Sequence, residues 1–385
     1  MKLPLKLQKK LQQRKDTGTL RSLKEPFDLV DFSSNDYLGF STSEEVFNKA
    51  HKLLVERGLM QNGATGSRLL TGNHQLYQEA EKMLCEVHKS QAALIYNSGY
   101  DANVGLFASV PQRRDVVLYD ELIHASIRDG IAMGNAKAYK FKHNDLTDLD
   151  GKIRFCHTQL NRGANNAIAE IYVVTESVFS MDGDSPNLPA IIALCEQYRC
   201  HLVVDEAHAV GVFGFGLVQG LGFQDRVFAR IATFGKALGA HGAAILGGTE
   251  LKEYLVNFSR SLIYTTALQP HSLATVLGSY GELATSKEPE ILDKNIRFFK
   301  HEADALGLTP HFIESNSAIQ ACLVQSNESA KQISNYLATN GFDVKPILSP
   351  TVPAGKERLR FCLHSFNTSQ QISDVLGLLG KFVKN

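Results

Sequence analysis

The chain carries no excess of charge of either sign. Of its 385 residues, 40 are Lys or Arg and 40 are Asp or Glu. It therefore lacks the basic balance with which nucleic-acid-binding proteins neutralise phosphates. Its six cysteines (Cys85, Cys156, Cys195, Cys200, Cys322 and Cys362) include no C-x-x-C pair. That spacing excludes a zinc ribbon and a disulfide framework, and the cysteines read as reduced, partly buried thiols. No apolar run is long enough to span a bilayer, and no secretory h-region with a small-residue cleavage site is present. Repeats, low-complexity linkers and a phosphate loop of the form G-x-x-x-x-G-K-[ST] are all missing.

What is present is material for a large core, with 44% hydrophobic and 21% charged residues. The basic N-terminus MKLPLKLQKKLQQRK places Leu3, Leu7 and Leu11 at helical spacing. It reads as an amphipathic helix docked on the body rather than an organelle presequence. From Ala92 to Gly247 short apolar stretches alternate with helical ones: AALIY, DVVLY, AKAYKF, EIYVVTE, HLVVD, RIATF and AAILGG. Such alternation implies βαβ crossovers and a mainly parallel seven-stranded sheet, with functional groups at the carboxyl ends of its strands. After Pro270 the pattern changes to a smaller α+β domain built on AIQACLVQ, FDVKPI, RLRFCLH and a final amphipathic helix. The expected division is an N-terminal segment (1–40), a large domain (41–270) and a small one (271–385).

The stretch HLVVDEAHAVG, His201–Gly211, admits two readings. An apolar strand ending in Asp-Glu-Ala-His suits the magnesium carboxylates of a helicase, but that reading needs the missing phosphate loop. A metal site at Asp205, Glu206 and His208 needs a second ligand cluster, which is missing too. The lysine in TFGKALGAHG decides between readings. Lys236 follows an apolar strand and has small neighbours, as suits an amine that must be approached closely and hold its proton weakly. Pyridoxal phosphate asks for such a lysine, and for a carboxylate at the ring nitrogen, a donor to the ring oxygen, a flat group on the ring face, and helix amides for the phosphate. Candidates for these are Lys236, Asp205, His208, His124 (in DELIHASI) and the amides of Ser98, Gly99 and Tyr100, with the Thr233 hydroxyl. Each alone is weak evidence, since a lone His or Ser-Gly-Tyr turn is usually structural. The set in this order is specific.

The chain resembles the α-oxoamine synthases, fold-type-I pyridoxal phosphate enzymes that condense an amino acid with an acyl thioester and release carbon dioxide. The likeness runs from DFSSNDYLGF through NGATGSRLLTGNHQLYQEAE, IYNSGYDANVG, VTESVFSMDGDSPNL, VVDEAHAVGVFG, TFGKALGAHGAA and SRSLIYTTALQP to RLRFCLHSFNT. It implies Lys236 as aldehyde carrier and base, Asp205 at the pyridine nitrogen, His208 and Ser180 near the ring oxygen, and His124 on the ring. Ser98, Gly99, Tyr100 and Thr233 would bind cofactor. The family's dimeric sites would take Thr265 or Thr266 from the partner, and Arg21, Asn35 and Arg360 would face substrate. In RLRFCLH, Arg358 and Arg360 share a strand face, and the resemblance favours Arg360. The branch it matches best joins L-alanine to a pimeloyl thioester, carried on coenzyme A or acyl carrier protein, in a cytoplasmic homodimer without metal, membrane or nucleic acid. Other members with different amino acids or acyl groups are the alternative, and an aminotransferase is a more distant one. HAVG in place of the usual HGTG, and ESVF in place of EGVF, depart from the commonest pattern and bear on the acyl entrance.

Overall fold

All seven apolar stretches become strands of one sheet. In the computed structural model, which describes residues 3–21, 23, 28–161 and 169–383, they are Ala92–Tyr96 (β1), Val116–Asp120 (β2), Lys137–Phe141 (β3), Ile171–Glu176 (β4), His201–Asp205 (β5), Ala229–Thr233 (β6) and Ala243–Gly247 (β7). Their spatial order is β1-β7-β6-β5-β4-β2-β3. Neighbours from β6 through β5, β4 and β2 to β3 are parallel, and β7 runs antiparallel to both β1 and β6. β1, β4 and β6 are buried along their whole length, which is why they read as unbroken apolar runs rather than alternating ones. β3 lies at the edge and is exposed over its first four positions. Lys137 and Lys140 there place charge on a rim that would otherwise invite pairing.

Successive residues of β5 show the two covered faces. Val203 joins a core with Leu106, Phe107, Ile127 and Leu255, whereas Leu202 and Val204 join Ile153, Ile191 and Cys195 on the other side. Helices Gly99–Ser109 and Ala125–Met133 thus cover one face, and Leu146–Asn161 and Leu188–Gln197 the other. Pro189 fits the first turn of the last of these, and Asn187 caps it by accepting from the Ala190 amide at 3.1 Å.

A second, antiparallel sheet of Ile319–Leu323 (β8), Lys345–Ile347 (β9) and Arg358–Cys362 (β10) has the order β9-β10-β8. FDVKPI, expected as one strand, is two. Phe342–Asp343 pairs in parallel with Val30–Asp31, and Lys345–Ile347 turns to pair antiparallel with β10. Pro346 sits on that edge strand, where its missing N–H leaves no ladder gap. The N-terminal helix also corrects its expectation. Leu5–Asp16 forms, but no residue of it is buried, and Leu5 is 74% exposed. Its leucine stripe is too narrow, and its basic residues too many, to hold it against the body of this chain. Among the described residues no helix is long and apolar enough to cross a membrane.

The parallel strands deliver Asp120, Glu176, Asp205 and Thr233 to one rim of the large sheet. After β6 the chain turns through Lys236, with Gly239 at φ +58°. A Cβ on Gly239 would stand 2.1 Å from the Ser41 amide nitrogen. Gly239→Ala should therefore lower unfolding free energy by about 2–4 kcal/mol, from left-handed strain and the clash. A urea-melt midpoint within error of the parent would refute this.

Candidate active site

The DEAH stretch splits at its strand end. Glu206 turns inward, accepting from the Val218 amide at 2.9 Å and lying 3.6 Å from the buried Arg230 guanidinium. It does not join Asp205 and His208, so these three cannot share a metal. Burial pushes Glu206 up to about 7.

Asp205 is buried at the rim. One carboxylate oxygen accepts from the Asn103 amide group at 2.8 Å, the other from the Ala207 N–H at 2.9 Å. Asn103 also donates to Ser126 Oγ at 3.0 Å, and Ser126 lies 2.8 Å from His124 Nδ1. The His124 amide in turn donates to Glu176 at 2.6 Å. Glu176 stands beside Asp205 in the β4–β5 register. Burial, and then the nearby Asp205 charge, push it up to about 8.

Lys236 reaches in from the turn after β6. Its Nζ lies 2.6 Å from His208 Nε2. His208 Nδ1 is 2.7 Å from the Tyr37 hydroxyl, and Tyr37 donates to Asn35 Oδ1 at 3.1 Å. The same Asn35 oxygen accepts from Arg360 Nη2 at 3.0 Å. A line of hydrogen bonds thus joins the lysine of the large sheet to an arginine of the small one. Burial lowers Lys236 to about 8, although Asp205 and Glu176 pull it back up. Burial, with the Lys236 and Arg360 charges, keeps His208 neutral. Arg360 further donates to the Ser180 carbonyl at 2.6 Å and lies 2.7 Å from Cys362 Sγ. Arg358, on the same face, is instead paired with Asp182.

A third group lies after β1. Ser98 caps helix Gly99–Ser109 by accepting from the Asp101 amide at 3.0 Å. Gly99 and Tyr100 are its first two residues, whose N–H groups have no acceptor within the helix. A Cβ on Gly99 would lie 3.6 Å from Thr233 Oγ1, so the helix start and that hydroxyl are adjacent. The Tyr100 ring points away to Asp129 at 2.8 Å, leaving only its backbone here. Asn97 ties Thr265 and Thr266 to this corner of the same chain, donating to Thr265 Oγ1 at 3.1 Å and the Thr266 carbonyl at 2.7 Å. Arg21 stands apart, lining a cavity of about 480 Å³ with Arg14, Met181, Lys331, Ile347 and Thr351.

This arrangement has close relatives. The chain matches the class I and II aminotransferase family over residues 28–377. It is 36% identical to an 8-amino-7-oxononanoate synthase of Emericella nidulans, across 98% of this chain and 95% of that one. It is also 36% identical to a putative 8-amino-7-oxononanoate synthase of Halalkalibacterium halodurans, over 95% and 93%. The chain belongs to the α-oxoamine synthases. Among solved structures, serine palmitoyltransferase of S. paucimobilis superposes with a TM-score of 0.84 at 27% identity, covering 99% of this chain and 97% of that one. An 8-amino-7-oxononanoate synthase of Francisella tularensis gives 0.74 at 27% identity, covering 92% and 98%.

This α-oxoamine synthase depends on pyridoxal phosphate, which solved serine palmitoyltransferase structures contain. The described residues fit it. Asp205, buried with neutral donors alone, lacks the cationic partner that a pyridinium N–H provides. The helix start at Gly99 and Tyr100 suits a phosphate, and Lys236 offers an amine that loses its proton easily. Sequence reading passed over Tyr37, Asn103 and Glu176. Asn103 left a trace, as an amide among the apolar residues of NVGLFA, and Glu176 closes the apolar run IYVVT. In the cofactor-free protein, capture of a simple aromatic aldehyde at Lys236, trapped with borohydride, should rise through a transition near pH 8. A transition near the ordinary lysine value of 10.5, or trapping that survives Lys236→Ala, would contradict this burial argument.

Proposed function

We propose that this α-oxoamine synthase joins L-alanine to a pimeloyl thioester, releasing the thiol and carbon dioxide to give 8-amino-7-oxononanoate, a step of biotin synthesis. Identity to the named synthases across nearly the whole chain supports this choice of substrates. The observation that carries the chemistry is the half-buried Lys236 amine, 2.6 Å from a neutral His208 and on the same rim as Asp205.

Bound pyridoxal phosphate supplies an electron sink next to the amino acid's Cα. In this reading Lys236 holds the aldehyde at rest. Its lowered proton affinity makes it a base for the Cα proton near neutral pH. Asp205, its orientation fixed by Asn103 and the Ala207 amide, would hold a proton at the ring nitrogen. His208 and Ser180 would serve the ring oxygen, and His124 would cover the ring. Ser98, Gly99, Tyr100 and Thr233 hold the phosphate, joined by Thr265 or Thr266 of a partner in a symmetric cytoplasmic homodimer. Tyr264 beside them is 73% exposed in one chain, as suits a surface that meets another. Arg360, aimed by Asn35 and the Ser180 carbonyl, grips the alanine carboxylate so that the Cα–H bond faces Lys236. A carbon–carbon bond forms between Cα, its proton gone to Lys236, and the acyl carbon as the carbon–sulfur bond breaks and the thiolate leaves; the former carboxylate then leaves as carbon dioxide and a proton takes its place at Cα.

The otherwise mostly neutral wall of the cavity at Arg21 also carries Arg14, Lys331 and Lys345, with Asp343 beside them. That suits an acyl chain ending in a carboxylate, carried by coenzyme A or acyl carrier protein. Condensation of serine with a long-chain acyl thioester is the second reading, favoured by the higher TM-scores to serine palmitoyltransferases. Thiol release with alanine, glycine and serine, each against acetyl, succinyl, pimeloyl and palmitoyl thioesters, separates the two. Alanine with pimeloyl should give the highest kcat/KM, and faster turnover of serine with palmitoyl would reverse the assignment.

Arg360→Lys keeps the charge but loses the planar fork. It should weaken alanine by about ten- to a hundredfold, with cofactor absorbance and thioester KM preserved. Arg358→Lys, whose parent is committed to Asp182, should leave alanine affinity within a few-fold. The opposite pattern, read from the spectral change on alanine binding, would move the carboxylate site to Arg358.

A further inference from the structure

The loop 180–184, SMDGD, touches both sheets. Ser180 offers its carbonyl to Arg360, and Asp182 pairs with Arg358, so both arginines of β10 end on it. The Gly183 carbonyl accepts from Ser315 Oγ at 2.8 Å and Ser317 Oγ at 2.9 Å, just before β8. Gly183 itself, at φ +78°, leaves no space for a side chain, since a Cβ would stand 2.2 Å from the Ile319 carbonyl oxygen. The loop's hold on the large sheet is Asp184. It accepts from His143 Nε2 at 2.8 Å and Asn144 Nδ2 at 2.7 Å.

The other nitrogen of His143 lies 2.9 and 3.1 Å from the two oxygens of Asp120, at the end of β2. Asp120 in turn accepts from the Leu122 amide at 2.8 Å, within the turn that leads to His124. Carboxylates only accept, so a ring bonded to two of them must donate from both nitrogens, which makes it an imidazolium. The Phe179 ring stands edge-on to it at 4.5 Å. The charged groups around His143 are Asp120 and Glu121 from the β2 end, Asp182 and Asp184 from the loop, and Arg358 from β10 behind Asp182.

We propose that His143, which lies outside the set that holds cofactor and substrate, is a positioning residue: clamped between Asp120 and Asp184, it fixes in one place the turn that carries His124 and the loop whose carbonyl aims Arg360. Its charge also answers a packing need. Three carboxylates, Asp120, Asp182 and Asp184, crowd this corner, and Arg358 serves only one of them. Burial opposes the charge, but the bonds to Asp120 and Asp184 outweigh it and raise His143 to about 9. A raised histidine stabilises where it is protonated, so the clamp is complete at pH 7 and is lost as pH climbs through 9. The role rests on the reading that Arg360 holds the amino acid carboxylate.

The test is steady-state kinetics of the holoenzyme carrying His143→Gln, a neutral side chain that can serve only one of the two carboxylates. Alanine KM should rise by about tenfold or more, because a misaimed Arg360 loses its alignment. The thioester KM should stay within twofold, and kcat should fall less than alanine affinity does. A merely structural loss would reduce the active fraction, lowering kcat with both KM values unchanged, and would overturn the proposal. The wild-type rise of alanine KM across pH 9, normalised to the thioester KM, should flatten in the variant; an unchanged rise would also overturn it. Should His143→Gln fail to fold, Asp184→Ala removes the acceptor of His143 Nε2 and Asn144 Nδ2, releases the loop alone and should shift alanine KM in the same direction; an unshifted KM would overturn the proposal. His143, Asp182 and Asp184 also have a metal-like spacing, so activity must survive exhaustive chelation, and a loss restored by a divalent cation would replace the clamp with a metal. If Arg360→Lys leaves alanine untouched, the carboxylate reading has failed; if it weakens alanine while His143→Gln does not, only the clamp has.

Discussion

Lys236 Nζ, at the end of a half-buried side chain, rests on a neutral imidazole, and the site takes its character from that contact. An ammonium in such a place gives up its proton readily. His208 is kept neutral by burial and by the cations near it, so it accepts from Lys236 and passes the polarity on through Tyr37 to Asn35. Arg360 closes the line from the other side. Neither end of the line has a carboxylate in ion-pair contact among the described residues. Asp205 stands off with amide donors alone. The interior therefore has two unneutralised cations on one side and an unneutralised anion on the other, which suits an anionic amino acid lying against a ring with a protonated nitrogen.

Geometry distributes these parts over two sheets. Parallel strands bring Glu176, Asp205 and Thr233 to a single rim, and the reversed β7 carries the chain back after the lysine turn. Arg360 comes from a different sheet, fixed by an antiparallel register that opposes it to Ala321 and Lys345. The two sheets meet at the SMDGD loop, whose backbone and carboxylates serve both. Precision at the site is thus a property of the junction as much as of either sheet.

The strands of the large sheet other than its exposed edge, Lys137–Phe141, were legible because burial on both faces writes them as apolar runs, and Lys236, Asp205 and His208 were legible through their short-range setting. FDVKPI misled because two strands of different partners are contiguous in sequence, and nothing local marks the change at Val344. The exposed N-terminal helix misled because a leucine stripe records amphipathicity without recording what covers it. Tyr37 reaches His208 and Asn103 reaches Asp205 across more than a hundred residues of chain, a dependence that no local pattern can carry. The choice between Arg358 and Arg360 was open for the same reason, since a strand face does not disclose that Asp182 waits for one of them.

Cys362 packs against Arg360 and is fully buried. Its thiol lies 3.6 Å from the Ser33 carbonyl as a donor, and burial pushes it up to about 11. Only a thiolate attacks acyl carbon efficiently. A thiolate in any site that handles a thioester, as proposed for this chain, would run the hazard of self-acylation, in which the acyl group migrates to the protein's own sulfur. Keeping that sulfur protonated and enclosed lets it cushion the arginine while remaining chemically silent.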